Sequence, residues 1–316
     1  MVRVQPFISS LSVLIRRNIK GFKMIYGEKT LTNRFCNVKL KCPICNADMD
    51  VSEDKTLFCN GEKKHTYDIS SSGYINLASP KQCGGGDTKD AVRARSSFLD
   101  RGYYAPIAKK TVELLKKYAG DSAVVIDAGC GEGYYTSRIA SSCRLAIGFD
   151  ISKFAVEAAA KRAKREKIDN LAFCVASVYS MPIFDGFADA VVNIFAPCVE
   201  QEYLRVLKSD GIILVVHAGR EHLMGLKRAL YSDIRENDAR ADLPAALELV
   251  CEEELKYDIT VDGNENIQSL FAMTPYYWRT SVDDAKKLDG VDVLTTEIDI
   301  IFSVYRKNSD VTGEKQ

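Results

Sequence analysis

Two constellations in the chain have residue types and spacings that could do chemistry. One runs Asp127-Ala-Gly129-Cys-Gly131-Glu132-Gly133, with Asp150 nineteen residues after Gly131. Alternating glycines allow positive φ and leave bare backbone for a ligand to lie against. A helix starting just beyond them would offer unpaired N–H groups to the ligand's polar end. Asp150 is placed to accept hydrogen bonds from ribose hydroxyls. The other constellation is Cys42-Pro-Ile-Cys45, thirteen residues, Cys59, five residues, His65. Three thiolates and an imidazole fill a tetrahedral site with no open position, which points to a structural Zn²⁺. Cys36 and Cys83 compete as ligands but lack the spacing.

The elements that must position the glycine loop read as alternating strands and helices. Val124 to Ile126 is a β-branched apolar run without alternation, the mark of a strand buried on both faces. Leu145 to Phe149 is a second such run, and Tyr135 to Ser142 can be the helix between them. A dinucleotide fingerprint would need a glycine at position 134, where Tyr134 stands. Ser152 is the expected cap of a helix from Lys153 to about Lys167, with Phe154, Ala155, Ala158, Ala159 and Ala163 as its apolar stripe. Further strands are expected over Leu171 to Ala176, leading to Ser177, then Asp189 to Phe195 and Ile212 to His217. A helix over Glu200 to Leu207 and a turn at Asp210-Gly211 separate the last two. The pattern predicts an α/β fold with a doubly wound parallel sheet, its ligand at the carboxyl ends of the strands. Helices near Glu221 to Glu236 and Ser281 to Leu288 follow. Val291 to Tyr305 is β-type sequence that would close the sheet with an antiparallel pair.

Upstream, Asp48 to Phe58 reads as a hairpin inside the metal module and Tyr67 to Leu77 as a strand and turn. A flexible joint at Gly84 to Asp87 leads to helices over Thr88 to Leu99 and Pro106 to Tyr118. The expected division is an extension over 1–35, a zinc-binding RNA-recognition domain over 36–85 and a helical linker over 86–120. The sheet domain then spans 121–308 and a tail 309–316. A metal-module segment this small would depend on its ion for stability.

The totals bound the function. At 316 residues the chain suits one large and one small domain. Lys+Arg and Asp+Glu are both 43, so no global basic field gathers nucleic acid and any RNA binding must be local. No apolar run is long enough to span a membrane. Ten cysteines, scattered apart from one cluster, suit a reducing compartment, so a cytoplasmic protein is expected. Met1 to Gly27 carries Arg3, Arg16, Arg17, Lys20 and Lys23 and no acid, so an organellar transit peptide is the alternative to a plain extension or a start at Met24.

Strand, D-x-G-x-G-x-G, helix, strand and acid resembles the S-adenosylmethionine site of class I methyltransferases. Wider blocks make the chain similar, over roughly 40–306, to the large-subunit ribosomal RNA guanine-N1 methyltransferases. They are the Cys-Pro-Ile-Cys knuckle, His-Thr-Tyr-Asp-Ile (65–69), Gly-Tyr-Ile-Asn-Leu (73–77) and Ala-Arg-Ser-Ser-Phe-Leu-Asp (94–100) with Gly102-Tyr103-Tyr104. Phe-Cys-Val-Ala-Ser (173–177), Ile-Phe-Ala-Pro-Cys (194–198), Arg-Glu-His-Leu-Met (220–224) and Met-Thr-Pro-Tyr-Tyr-Trp (273–278) continue them. The resemblance implies a Rossmann-like class I fold and zinc on Cys42, Cys45, Cys59 and His65. It also implies cofactor contacts from Tyr104, Gly131, Glu132 and His222, and an adenine ring beside Ser177. Asp127 and Asp150 are assigned to the cofactor's amino and ribose groups, beside Gly129 and Gly133.

Methyl transfer to guanine N1 asks for alignment, exclusion of water, and removal of the N1 proton or stabilisation of the resulting enolate. His222 is a weak candidate for the base, against its reading as a cofactor contact; no other catalytic residue is legible. N1 lies on the pairing edge, so the target would be an unpaired or flipped guanine in a large-subunit RNA hairpin loop. Phe195, Tyr276, Tyr277 and Trp278 could stack on it. Lys63 and Lys64, with Lys39, Lys41 and Lys55, could grip phosphates, and Arg93 and Arg95 could do so at the joint. A homodimer could complete the RNA cleft. A small-molecule methyltransferase and a non-catalytic zinc-dependent RNA-binding protein are the competing readings.

Overall fold

The computed structural model describes residues 34–52, 55–79, 86–237 and 247–307. The expected extension and tail, with Cys83, fall outside those residues except for Arg34 and Phe35.

The metal module opens with an antiparallel sheet of β1 (Met49–Val51), β2 (Thr56–Cys59) and β3 (Thr66–Asp68). Met49 pairs with Cys59 and Val51 with Leu57, which is the expected hairpin. β4 (Tyr74–Asn76) leaves this small sheet and pairs in parallel with β7 (Leu171–Val175), at the edge of the main sheet. The module is therefore not a free knob. Phe35, Leu40, Met49 and Leu57 share one buried cluster with Val124, Ile126 and Phe149 of the central strands.

Two helices follow, α1 (Lys89–Asp100) and α2 (Ala105–Ala119). Thr88 caps the first by accepting from the Ala91 N–H at 3.3 Å. Although expected as a linker, they pack as part of the main core: Phe98, Leu99, Ile107 and Leu114 are buried against Val125, Ala146 and Phe173. Consecutive residues of β5 (Val124–Ala128) thus serve opposite faces of the sheet, which explains an apolar run without alternation.

From β5 the chain winds through α3 (Tyr134–Ile139), β6 (Leu145–Asp150), α4 (Lys153–Arg165), β7, β8 (Ala188–Ile194), α5 (Glu200–Val206), β9 (Leu207–Ala218) and α6 (Met224–Leu230). The last part is β10 (Leu247–Asp262), α7 (Asn264–Ala272), α8 (Val282–Ala285) and β11 (Val293–Lys307). The eight-stranded sheet has the order β10-β11-β9-β8-β5-β6-β7-β4, with β5 central and parallel to both β6 and β8. β11 runs antiparallel to β9 and to β10, the closure expected of Val291 to Tyr305.

Three local expectations are corrected, and one strand has no counterpart in the sequence reading. Asp210-Gly211 is no turn between elements: it lies inside β9, where Ala188 pairs with Leu207 but Ala190 with Ile212, so the residues between bulge outward. The helix near Glu221 to Glu236 shortens to the seven residues of α6, seated by Gly225 against Thr295 and Thr296. Phe154 is 51% exposed, whereas Val156 and Ala160 join Ala155, Ala159 and Ala163 in the buried stripe of α4. β10, rich in Glu, was not legible as a strand; its pairing with β11 along nearly its whole length outweighs weak intrinsic propensity.

Candidate active site

β5 ends by burying Asp127 and Ala128, after which Gly129, Gly131 and Gly133 all take positive φ, at 87°, 53° and 77°. The outer two are packing residues. A Cβ on Gly129 would stand 2.5 Å from Ala196 Cβ, and one on Gly133 would stand 2.9 Å from the Phe173 ring. Gly131 differs: its nearest neighbour would be Arg95 Nη1 at 3.6 Å, so its backbone faces a hollow.

That hollow has a volume of about 870 Å³ and lies beyond the carboxyl ends of the parallel strands, where open α/β sheets bind ligands. Its lining comes from the glycine loop and the end of β6 (Gly131, Glu132, Asp150), from the segment after β7 (Ser177, Tyr179), and from Phe195, His222 and Tyr276. Asp150 Oδ2 accepts from the Gly131 N–H at 3.0 Å and Oδ1 from the Ser152 N–H at 2.8 Å. The acid thus ties the tip of the glycine loop to the start of α4. Burial raises its carboxyl, and those two N–H groups oppose the rise.

Asp127 sits differently from its expected role. It is 2% exposed, accepts from Thr136 Oγ1 at 2.6 Å and is not part of the cavity wall. Burial pushes its carboxyl up to about 7. Its visible work is to brace α3 beneath the loop. Glu132 is equally buried but does line the cavity, and its Oε1 has no hydrogen-bond partner. Burial raises its carboxyl as well, with Arg95 pulling the other way.

Tyr104 and His222, 118 residues apart, meet on the cavity lining with Oη and Nε2 3.4 Å apart. The Asp299 N–H donates to His222 Nδ1 at 3.3 Å. An imidazole that accepts at Nδ1 and stays neutral carries its proton on Nε2, so Nε2 donates to the tyrosine oxygen. Burial, with Lys227 nearby, pulls His222 down to about 4 and keeps it neutral. Phe195 lies near parallel to the imidazole, ring centroids 6.1 Å apart, and is half-exposed at the rim. Its φ of 54° is strained for an aromatic residue and turns the chain sharply after β8.

The expected RNA contacts do not all lie together. Lys63 and Lys64 are exposed on the metal module, Lys64 over the Phe58 ring at 4.2 Å, and Arg93 is exposed on α1. Arg95 instead turns into the cavity and ion-pairs with Asp87, its side chain 26% exposed. Trp278 is exposed and edge-on to Tyr277, away from the cavity wall, which takes Tyr276 from the same loop. Sequence reasoning missed Asp87, Tyr135, Tyr179 and Asn237 as wall residues. Tyr179, two residues past Ser177 at a strand's carboxyl end, carried a usable signal.

Cys42, Cys45, Cys59 and His65 bring one ligand atom each within 4.8 Å of one another. Cys45 Sγ lies 3.7 Å from Cys59 Sγ, and His65 Nδ1 lies 3.5 Å from Cys42 Sγ and 3.3 Å from Cys59 Sγ. Usual Zn–S and Zn–N lengths at a tetrahedral centre put S···S edges at about 3.8 Å and S···N edges at about 3.6 Å. The four donors fit Zn²⁺. The Tyr67 hydroxyl reaches Cys42 Sγ at 3.5 Å, and a Cβ on Gly61 would come within 2.9 Å of Cys45 Sγ. Cys36 lies outside the cluster. Among the described residues no helix is long and apolar enough to cross a membrane.

Residues 119–287 match the methyltransferase domain family. The 23S rRNA (guanine(748)-N(1))-methyltransferase of Streptomyces fradiae is 32% identical over 280 residues, covering 84% of this chain and 96% of its own. YxjB of Bacillus subtilis (strain 168), provisionally named a 23S rRNA (guanine-N(1)-)-methyltransferase, is 30% identical over 281 residues, with the same coverage of 84% and 96%. The resemblance read from separated blocks thus extends over most of this chain and nearly the whole of its relatives, and the chain belongs to the 23S ribosomal RNA guanine-N1 methyltransferase family.

Proposed function

We propose that the protein transfers a methyl group from S-adenosylmethionine to N1 of a guanine in a hairpin loop of large-subunit ribosomal RNA. The observation that carries this reading is the cavity over Gly131, lined by Asp150 and by the mutually contacting Tyr104, His222 and Phe195. S-adenosylmethionine, when bound, supplies an electrophilic methyl on a sulfonium. Asp150 is fixed by two backbone N–H groups, and each of its oxygens keeps a lone pair for a ribose hydroxyl. Gly131 leaves room for the nucleoside, Gly129 and Gly133 let the loop pack closely beneath it, and Ser177 would border the adenine. Asp127 acts from beneath, by holding Thr136 and the loop, in place of a direct amino contact.

Guanine N1 gains nucleophilicity when its proton passes to water and negative charge moves to O6. His222 is poorly made to take that proton, since Nδ1 is occupied and Nε2 already bears one. The pair acts as a donor: Nε2–H holds Tyr104 Oη, which turns its own proton toward the developing enolate oxygen or the cofactor. Burial makes such a fixed donor stronger than it would be in water. Phe195 offers its exposed face to a flipped guanine, and the metal module presents Lys63 and Lys64 to backbone phosphates, with Arg93 on the neighbouring helix. Zn²⁺ on the three cysteines and His65 is structural in this reading and takes no part in the transfer.

Nucleoside mass spectrometry of large-subunit RNA incubated with protein and S-adenosylmethionine tests the reading. It expects 1-methylguanosine to appear only when both are present. Its absence from free RNA and from assembled particles alike would contradict the proposal.

A further inference from the structure

Lys227, on α6, is 7% exposed, and among the described residues no carboxylate pairs with it. Its Nζ donates to the Arg235 carbonyl at 2.8 Å and to Asn237 Oδ1 at 2.7 Å. An ammonium can only donate, so the Asn237 atom that faces it is the amide oxygen. The amide nitrogen accordingly turns to three carbonyls beyond β9, those of Gly219, Arg220 and His222, at 3.2, 3.2 and 2.8 Å. The Tyr276 hydroxyl reaches the same Oδ1 at 2.7 Å. An amide oxygen can only accept, so Tyr276 is the donor. Burial pushes this hydroxyl up to about 12, so it keeps its proton.

Asn237 and Tyr276 both line the cavity, as Tyr104 does. The two tyrosines present opposite polarities to it. Tyr104 accepts from His222 Nε2–H and has its own proton to give, whereas Tyr276 has given its proton and keeps lone pairs. Burial raises the Tyr104 hydroxyl, and Tyr257 and Tyr276 are near enough to add to the rise. Guanine shows an acceptor at O6 and a donor at its 2-amino group, with N1 between them. We infer that Tyr276 determines the choice of guanine: its oxygen accepts from the 2-amino group while Tyr104 donates to O6. Asn237 is the positioning residue that holds the Tyr276 proton away from the base. Adenine carries a donor at position 6 and nothing at position 2, so it opposes one tyrosine and leaves the other unmatched. This rests on the guanine-N1 reading of the cavity and adds how the base is told from other purines. It also turns Tyr276 from a stacking candidate into a hydrogen-bond acceptor.

A reverse-transcription stop locates the modified guanosine, and the same large-subunit RNA is then rebuilt by ligation with inosine there, which lacks only the 2-amino group. Wild-type protein with S-adenosylmethionine is expected to methylate the inosine RNA with kcat/KM lower by about tenfold or more. Tyr276→Phe should lose a similar factor on the guanosine RNA and nothing further on the inosine RNA. Its affinity for S-adenosylhomocysteine should stay within about twofold of wild type. Asn237→Leu frees the Tyr276 proton to turn toward the 2-amino group, so the preference for guanosine should fall; loosened packing alone would slow both RNAs alike. Tyr276→Phe removes one hydroxyl and serves even where Asn237→Leu does not fold. Equal wild-type rates on the two RNAs, or wild-type discrimination in Tyr276→Phe, would overturn the assignment. Absence of any cofactor-dependent stop with wild-type protein would overturn the guanine-N1 reading itself, and the assignment with it.

Discussion

His222 Nε2 and Tyr104 Oη lie 3.4 Å apart, while the Asp299 N–H occupies the other imidazole nitrogen. This arrangement fixes one tautomer, with the proton on Nε2. Nitrogen-detected NMR of the imidazole should show that tautomer and no titration above about pH 5, since burial holds the group near 4. A pH–rate profile should correspondingly lack a limb near pH 6.5 that vanishes in His222→Gln. A His222 resonance titrating at 6 to 7 would reverse the donor assignment. Tyr104→Phe should slow methyl transfer by roughly tenfold or more, the worth of one buried hydrogen bond near charge.

Asp127 makes stability depend on pH. Its folded carboxyl titrates at about 7, above the ordinary unfolded value, so the folded state holds the proton more tightly. Its contribution is fully present below about pH 4 and is lost as pH rises through 7. Asp127→Asn should remove that loss, on the order of a few kcal/mol between pH 4 and 8. Denaturant midpoints of the two proteins at a series of pH values read the difference. Parallel curves would contradict the burial argument.

The three loop glycines should separate by role. Gly133→Ala drives a methyl into Phe173 and Ala159 and should cost about 1–3 kcal/mol of stability. Gly131→Ala meets only Arg95, so its cost in the fold should be about 1–2 kcal/mol from backbone strain alone. Cofactor affinity should fall more in Gly131→Ala than its melting temperature implies. Melting curves beside calorimetric titrations check both.

The cysteine–histidine cluster should hold one zinc ion per chain by metal analysis. Cys45→Ser should release it and loosen the small sheet, whose three short strands are held by the ion as well as by Met49 and Leu57 in the shared core. Tyr67→Phe removes the hydroxyl contact to Cys42 Sγ and should weaken zinc by about tenfold or more, read by competition with a chelator.

What could be read from sequence was local. The β5 run, the glycine spacing, Asp150 and the four metal ligands each declare themselves locally, and the structure sets Gly131 and Asp150 on the cavity wall and gathers the four ligands into one cluster. What could not be read depended on distant partners. Arg95 looks like a phosphate-binding residue until the fold brings Asp87 and Glu132 beside it. β10 looks too acidic for a strand until β11 pairs with it. Asp210-Gly211 carries a turn signal that the sheet absorbs as a bulge. Trp278 and Tyr276 share one loop, and no periodicity says which faces the cavity.

Reverse transcription across large-subunit RNA treated with protein and S-adenosylmethionine tests the central claim most directly, because a methyl on N1 blocks pairing. The account expects one new cofactor-dependent stop next to a hairpin-loop guanine. An unchanged stop pattern on both naked RNA and ribosomal particles would contradict it.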